Sequence, residues 1–429
     1  NLEQVLRNLY FLAGRSAEWN EPNGAVDPDE GVELLRANTE ALLGPSDPGR
    51  ASRIMVTLPS EAADDLELVR SLFRAGMNAA RINCAHDGPD AWSRMIDHLR
   101  IAATETGRSC KIQMDLAGPK LRSGPLADRP LRLHVGDTLL LHRAIVPGRP
   151  AKKHKDGRTE RPAEISCTLP EIFDDLRAGD LVRFNDGKIE GVVTVIDTET
   201  ATIEIRRAKP GGSRLRADKS INFPETPLSL SGLTDKDLRD LDFVARHADI
   251  VALSFVNRPD DVRALQQELA KRHASDCGVL LKIETQRGFD HLPRIVLAGM
   301  KSHPLGVMIA RGDLAVECGW ERMAEIQEEI LWICEAAHVP VVWATQVLEG
   351  LAKNGVASRA EITDAAMAER AECVMLNKGP YVTAAITTLD DILRRMQDHT
   401  QKKSARMRRL HVSAIFDDDL RKSPTSKPS

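Results

Sequence analysis

Short apolar runs alternate with amphipathic stretches along most of this chain, and the alternation predicts its fold. Eight runs, at 53–59, 79–83, 111–116, 249–255, 278–284, 305–311, 340–345 and 373–377, are near-continuous in apolar residues. Strands buried on both faces of a parallel sheet must read this way. Apolar residues recur at helical spacing over 61–75, 91–106, 235–247, 259–273, 286–298, 321–337 and 359–371, and again over 382–397 after the last run. Eight strand–helix units predict an α/β fold, a (β/α)8 TIM barrel built from 51–124 and 223–399. A doubly wound open sheet is the alternative that the count alone leaves standing.

The rhythm breaks once, between the third run and its helix. Short β-branched runs at 192–196 and 202–205 are punctuated by Gly136-Asp137, Gly179-Asp180 and Asp186-Gly187. This pattern predicts a small all-β lid domain, a β-barrel inserted at 125–222. A structureless loop of that length inside a compact fold is not expected. The basic stretch 152–155 reads as a solvated loop. At the N-terminus, Leu2, Val5, Leu6, Leu9 and Leu12 keep helical spacing, as do Val32, Leu35, Leu42 and Leu43, with the breaker Glu21-Pro22-Asn23-Gly24 between them. Residues 1–50 are therefore expected to form a helical hairpin packed on the barrel. The basic, polar stretch 400–429 is expected to fray.

Composition narrows the field of functions. The 429 residues carry 59 basic and 63 acidic side chains, a net charge of -4. That balance offers no global attraction for nucleic acid or for an anionic membrane. No run approaches the ~20 apolar residues of a membrane span. The seven cysteines are scattered without a C-x-x-C, so they are read as small apolar fillers in a reducing, cytoplasmic setting.

The chemistry sits at the ends of the apolar runs. The second ends Arg81-Ile82-Asn83, and the third ends at Asp115 with Gly118-Pro119-Lys120-Leu121-Arg122 beyond it. The fifth ends Lys282 and Glu284, the sixth Arg311-Gly312-Asp313, and the seventh Thr345. Barrel enzymes place their reactive groups at these C-terminal strand ends. Side chains alternate across a strand, so Lys282 and Glu284 share a face. Arg81 is a bidentate donor suited to phosphate. Glu284 and Asp313 are hard oxygen ligands suited to Mg2+ or Mn2+, and Lys282 adds positive charge where a phosphoryl group would move. Gly312 and Asp313 open a helical turn whose N–H groups can hold a carboxylate, with the Thr345 hydroxyl beside it. The site is thus built for a small ligand bearing both phosphate and carboxylate. No P-loop, dinucleotide glycine fingerprint or hydrolase triad is present.

Several segments together resemble the pyruvate kinase family: ARINCAHDG at 80–88, DLAGPKLRSG at 115–124, LLKIE at 280–284, VMIARGDLAVE at 307–317, ATQVLE at 344–349 and SRAEITD at 358–364. KSINFP at 219–224 and NDGK at 185–188 are similar to the family's inserted β domain. The resemblance implies phosphoryl transfer from phosphoenolpyruvate to ADP, the glycolytic step that yields pyruvate and ATP. It further implies that Arg81 contacts the transferred phosphate and that Lys282 stabilises it in flight. Glu284 and Asp313 would hold the divalent metal. Gly312 and Thr345 would bind the carboxylate end, with Thr345 near the carbon that is protonated. Asn83, His86, Arg122 and Lys219 would face the nucleotide.

The departures from the family pattern carry their own expectations. Ala85-His86 stands where the family has Ser-His, so a K+-ligating hydroxyl is missing. Asp115-Leu116 replaces Asp-Thr, and Gly118-Pro119-Lys120 replaces Gly-Pro-Glu. The resemblance implies that the Lys120 ammonium substitutes for the monovalent cation, so that K+ is not required. Leu58-Pro59-Ser60 lacks the usual glycine, and the loop after the eighth run reads Met375-Leu376-Asn377-Lys378-Gly379-Pro380 in place of M-L-S-G-E-T-A. The family's C-terminal regulatory domain is expected to be absent, and assembly as a homo-oligomer is left open. Two other readings stay on the table: a metal-dependent lyase acting on pyruvate or phosphoenolpyruvate, and a non-catalytic ligand sensor descended from a kinase.

Overall fold

The computed structural model describes residues 28–154 and 159–397. Eight parallel strands close into a barrel in which sequence neighbours are also spatial neighbours. They are Arg53–Thr57, Ala79–Asn83, Lys111–Asp115, Ile250–Leu253, Gly278–Ile283, Leu305–Ala310, Val341–Ala344 and Cys373–Leu376. The closed order removes the open-sheet alternative. Register brings the polar ends level: Asn83 pairs with Asp115, and Lys282 with Met308. Most strand residues are buried on both faces, which is why the runs read as continuous apolar segments.

Helices coat the outside, and their ends follow local chemistry. Thr234 and Asp237 form a capping box at the start of Asp235–His247, and Ser358 with Glu361 does the same for Arg359–Met367. The stretch expected at 61–75 divides into a 3-10 turn, Ser60–Ala63, and a helix, Leu66–Ala75. Asp65 causes the break, because its side chain accepts from the Leu68 N–H and so starts a new helix. The stretch expected at 286–298 also divides, with Pro293 opening the second piece, Leu292–Gly299. No helix among the described residues is long and apolar enough to cross a membrane.

The inserted unit carries a six-stranded sheet and two two-stranded ladders. Its strands run from Leu131–Leu133 to Ile221–Asn222. It buries its own apolar cluster, distinct from that of the barrel, and this cluster takes in Leu121 and Phe223, just outside 125–222. The two connecting segments are tied by a bridge between Arg122 and Ser220. Lys152–Lys153 is a short strand paired with Thr159–Arg161, so this part of the basic stretch is not a free loop.

The helix Pro28–Leu43 stoppers the barrel. Leu42 and Leu43 join the cluster of barrel-interior side chains that includes Met55, Leu280 and Met308. Gly278 and Gly306 make room: a Cβ on either would lie 2.8 or 2.4 Å from a Leu42 methyl. Leu35 is buried, but Val32, expected on the same face, is 65% exposed. The contact is made by the helix's last turns, and Val32 lies beyond it. The other arm of the expected hairpin and the tail 400–429 lie outside the described residues.

Candidate active site

Lys282 stands at the centre of the barrel mouth with three oxygens around it. Its Nζ lies 2.8 Å from Ser254 Oγ, 3.0 Å from Asp115 Oδ2 and 3.2 Å from Glu284 Oε1. An ammonium has three donors, so all three are matched. As strand alternation requires, Lys282 and Glu284 share a face. Arg81 reaches the same carboxylate: Nε and Nη2 donate to Asp115 Oδ2 at 3.0 and 2.6 Å, and Nη1 donates to Thr57 Oγ1 at 3.0 Å. A guanidinium has five N–H groups, which leaves two of Arg81's for a ligand. Asp115 is the hub, since it also accepts from the Gln113 amide. Asp115 stands among the polar strand ends of the sequence without an expected role, and Ser254, near the end of the fourth run, carries no expectation.

Burial sets the electrostatics. Lys282, Glu284 and Asp115 are 7%, 3% and 1% exposed. Burial alone would raise the Asp115 pKa, but Arg81 and then Lys282 outweigh it and hold the carboxyl down at about 2. Burial pushes Lys282 down, while Asp115 and Glu284 more than restore its charge. Burial pushes Glu284 up; Lys282 opposes the shift and the nearby Asp313 reinforces it. A carboxylate in that state favours a cation partner.

The sixth and seventh strands supply the next group. Arg311 opens the helix Arg311–Cys318 instead of extending its strand. It is held by the carbonyls of Ala344 and Thr345, by Asp364, and by the Trp343 ring, 4.8 Å from its guanidinium carbon. This pins the helix start against the seventh strand. There the Gly312 N–H donates to Thr345 Oγ1 at 2.8 Å. The two expected carboxylate binders therefore meet, but the Gly312 N–H is already engaged. Thr345 keeps its own O–H to donate. It sits at φ 62°, a left-handed conformation costly for a β-branched residue.

Lys120 adopts a specific partner. Its Nζ lies 2.8 and 3.0 Å from the two oxygens of Asp313 and 5.5 Å from the centre of the Phe255 ring. Glu284 Oε2 accepts from the Phe255 N–H at 2.7 Å. Among the described residues no group of three or more His, Cys, Asp or Glu side chains converges as a metal cluster. Asp313 is close enough to Glu284 to raise the cost of the Glu284 charge. Two carboxylates fit Mg2+ or Mn2+, which keep waters and take further oxygens from a phosphorylated substrate. Such an ion has to share Asp313 with Lys120.

The expected nucleotide contacts divide between two places. Asn83 and His86 line a cavity of about 220 Å3 with Thr57, Arg81, Asn377 and Lys378. The altered loop after the eighth strand thus forms one wall. Arg122 and Lys219 lie instead on the connecting segments. Arg122 Nη1 donates to the Asp218 carbonyl at 3.2 Å, and the Lys219 N–H to Ser123 Oγ at 2.9 Å. The inserted unit touches the barrel mouth nearby. Arg183 donates to the Val316 carbonyl, and Asn222 Nδ2 to Glu317 Oε1 at 2.6 Å. Burial, only partly offset by Asn222, pushes Glu317 up to about 7. No pattern in the sequence singled out Glu317, which lies beyond the strand end in a helix.

A family model described as pyruvate kinase, barrel domain, matches residues 49–385. Pyruvate kinase from Bacillus licheniformis is 30% identical over 374 residues, covering 85% of this chain and 60% of that protein. Pyruvate kinase from Geobacillus stearothermophilus is 30% identical over 371 residues, with the same coverage of 85% and 60%. The chain thus spans about 60% of the length of these curated relatives. Among solved structures, a pyruvate kinase from Cryptosporidium parvum is similar in fold, with a TM-score of 0.73 at 24% identity over 91% of this chain and 76% of that one.

Proposed function

Because the chain belongs to the pyruvate kinase family, we propose that it transfers the phosphoryl group of phosphoenolpyruvate to ADP, giving pyruvate and ATP as a step of glycolysis in the cytoplasm. The observation that carries this reading is the buried cluster of Arg81, Asp115, Lys282 and Glu284 at the barrel mouth. Its charges cancel, yet its two cations are aimed and held by one carboxylate. Such preorganised charge stabilises a group that moves as a polyanion.

Each side chain then has a task. The two uncommitted N–H groups of Arg81 take the phosphate in a bidentate grip. Lys282 offsets negative charge on the phosphoryl as its bond to the enol oxygen breaks and its bond to the ADP oxygen forms. Asp115 keeps both cations oriented, as a positioning residue. The substrate carboxylate lies at the helix start by Gly312 and Asp313. Thr345, its hydroxyl oriented by Gly312, holds the proton that the enolate's methylene carbon receives. Asn83 and His86 meet the nucleotide from the barrel side, and Arg122 and Lys219 from the connecting segments. Glu284 and Asp313 would hold Mg2+ or Mn2+, which when bound supplies charge neutralisation at the phosphoryl oxygens. Lys120 supplies the monovalent positive charge, so K+ is not required. No nucleic acid or membrane partner enters the reaction.

A coupled assay tests the reading. With Mg2+ present, and with or without K+, phosphoenolpyruvate and ADP should yield pyruvate and ATP in equal amounts. Pyruvate released without matching ATP indicates a lyase or phosphatase, and no turnover even with K+ added indicates a sensor. Either result overturns the assignment.

A further inference from the structure

A cavity larger than that at the barrel mouth lies on the inserted unit. It has a volume of about 530 Å3, and Arg129, Arg132, His134, Asp137, Pro150 and Arg214 are among its lining residues. Two of its arginines are brought together by strand register. In the ladder of Leu131–Leu133 with Ser213–Leu215, Arg132 pairs directly with Arg214. Their neighbours Leu131, Leu133 and Leu215 are buried, so both guanidinium groups project from the outer face. Opposed residues in an antiparallel pair have Cβ atoms roughly 5 Å apart, and like charges there are destabilising.

Among the described residues, this charge has no ion-pair partner. Arg132 donates to the Gly211 carbonyl at 2.7 Å, a neutral acceptor. Among the described residues, no carboxylate pairs with Arg129, Arg132 or Arg214. Asp137, the acid on the lining, accepts from the His134 N–H at 2.8 Å and lies 3.2 Å from His134 Nδ1. The backbone is shaped to hold the cluster tight. At Gly212, φ is 87°, and a Cβ would come 2.6 Å from His134 Nε2 and 2.9 Å from Arg132 Cγ. A solvated surface spreads like charges apart, whereas this ladder fixes two of them face to face beside a third.

We propose that this groove binds a small, multiply charged oxyanion, a polyphosphate or a polycarboxylate, clamped between Arg132 and Arg214 with Arg129 at its end. Guanidinium groups match both oxyanions in bidentate geometry. The volume admits more than one phosphate-sized group, which favours a ligand with two or more anionic centres. Occupation removes the Arg132–Arg214 repulsion and so stabilises the inserted unit. The site lies on the ladder, apart from the residues assigned to phosphoryl transfer.

The test is calorimetric titration of the full chain, free of divalent metal, with inorganic tripolyphosphate and separately with citrate. The comparison protein is the double variant Arg132→Gln with Arg214→Gln. Because the barrel mouth also carries cations, the readout is the number of sites. The unmodified chain should show one site more than the double variant, or bind the anion about tenfold or more tightly. The anion that binds the extra site more tightly identifies the source as phosphate or carboxylate. The melting temperature provides a second measurement. Without anion the double variant should melt no lower than the unmodified chain, and added anion should raise the melting temperature of the unmodified chain more. Equal site numbers and affinities in the two proteins, or no binding of either anion, overturns the proposal. Turnover with phosphoenolpyruvate and ADP should be the same in both, so the outcome is independent of the kinase reading.

Discussion

Replacing Lys120 with methionine should strengthen divalent-metal binding while weakening turnover. The ammonium sits 2.8 and 3.0 Å from the Asp313 oxygens, with the two side chains 27% and 23% exposed. At an effective dielectric near 20, opposite unit charges about 3 Å apart attract by roughly 5–6 kcal/mol. Desolvation and side-chain ordering cancel most of this, leaving about 1–2 kcal/mol net for a partly exposed pair. A divalent ion that takes Asp313 as a ligand has to displace that ammonium or bind beside it. Removing the pair therefore returns about 1–2 kcal/mol to metal binding, roughly a tenfold gain in affinity at about 1.4 kcal/mol per decade. Methionine keeps the length and apolar packing of the lysine stem beside Phe255 and removes only the charge.

The assay is Mn2+ binding to the substrate-free protein, read by electron paramagnetic resonance of the free ion, in the unmodified chain and in Lys120→Met. Turnover is measured in parallel in a buffer whose only monovalent cation is tetramethylammonium. The unmodified chain should be fully active there. Lys120→Met should bind Mn2+ about tenfold more tightly but turn over slowly, because the monovalent positive charge is gone. Unchanged or weaker Mn2+ binding refutes the competition at Asp313. Strong K+ activation of the unmodified chain refutes the substitution of ammonium for K+. The two parts of the argument thus fail separately.

Lys282→Met should lower turnover by about 100-fold or more, the loss of ~3 kcal/mol expected for one preorganised electrostatic group; near-normal turnover would remove Lys282 from the chemistry. Glu284→Gln and Asp313→Asn should each shift Mg2+ activation to higher concentrations, and unchanged activation curves in both would place the metal elsewhere. Glu317, pushed from the usual 4.5 up to about 7, is favoured in its neutral form. Its contribution to stability is complete below pH 4.5 and lost as pH rises toward 7. Glu317→Gln keeps the acceptor for Asn222 without titrating, so its melting temperature should gain on the unmodified chain between pH 4.5 and 7.5, and a constant gap would contradict the assignment. Leu42→Ala should cost about 2–5 kcal/mol of unfolding free energy, because Leu42 fills the closed end of the barrel; a loss below ~1 kcal/mol in chemical denaturation would show that the helix is not a stopper.

The barrel was legible because its strands are covered on both faces. That requirement forces a continuous apolar run, and the expected strand bounds lie within about two residues of those observed. The same requirement makes any charge in a run conspicuous, so Arg81, Lys282 and Glu284 stood out. What the sequence conceals is pairing. Lys120 and Asp313 are 193 positions apart, and only closure of the barrel decides that the ammonium meets that carboxylate. Asp115 was visible as a strand end, but its role as hub depends on the Arg81 and Lys282 side chains converging from two other strands. The stopper helix hid for a different reason. Helical spacing assumes one face lying along a surface, which puts Val32 with Leu35. Here the end of the helix enters a tube, so the adjacent residues Leu42 and Leu43 are both buried while Val32 stays in solvent. Periodicity thus marks which residues leave water. Which charge meets which is set by chain closure, and for that reason the ion-pair partner of Asp313 is Lys120, a residue outside every strand.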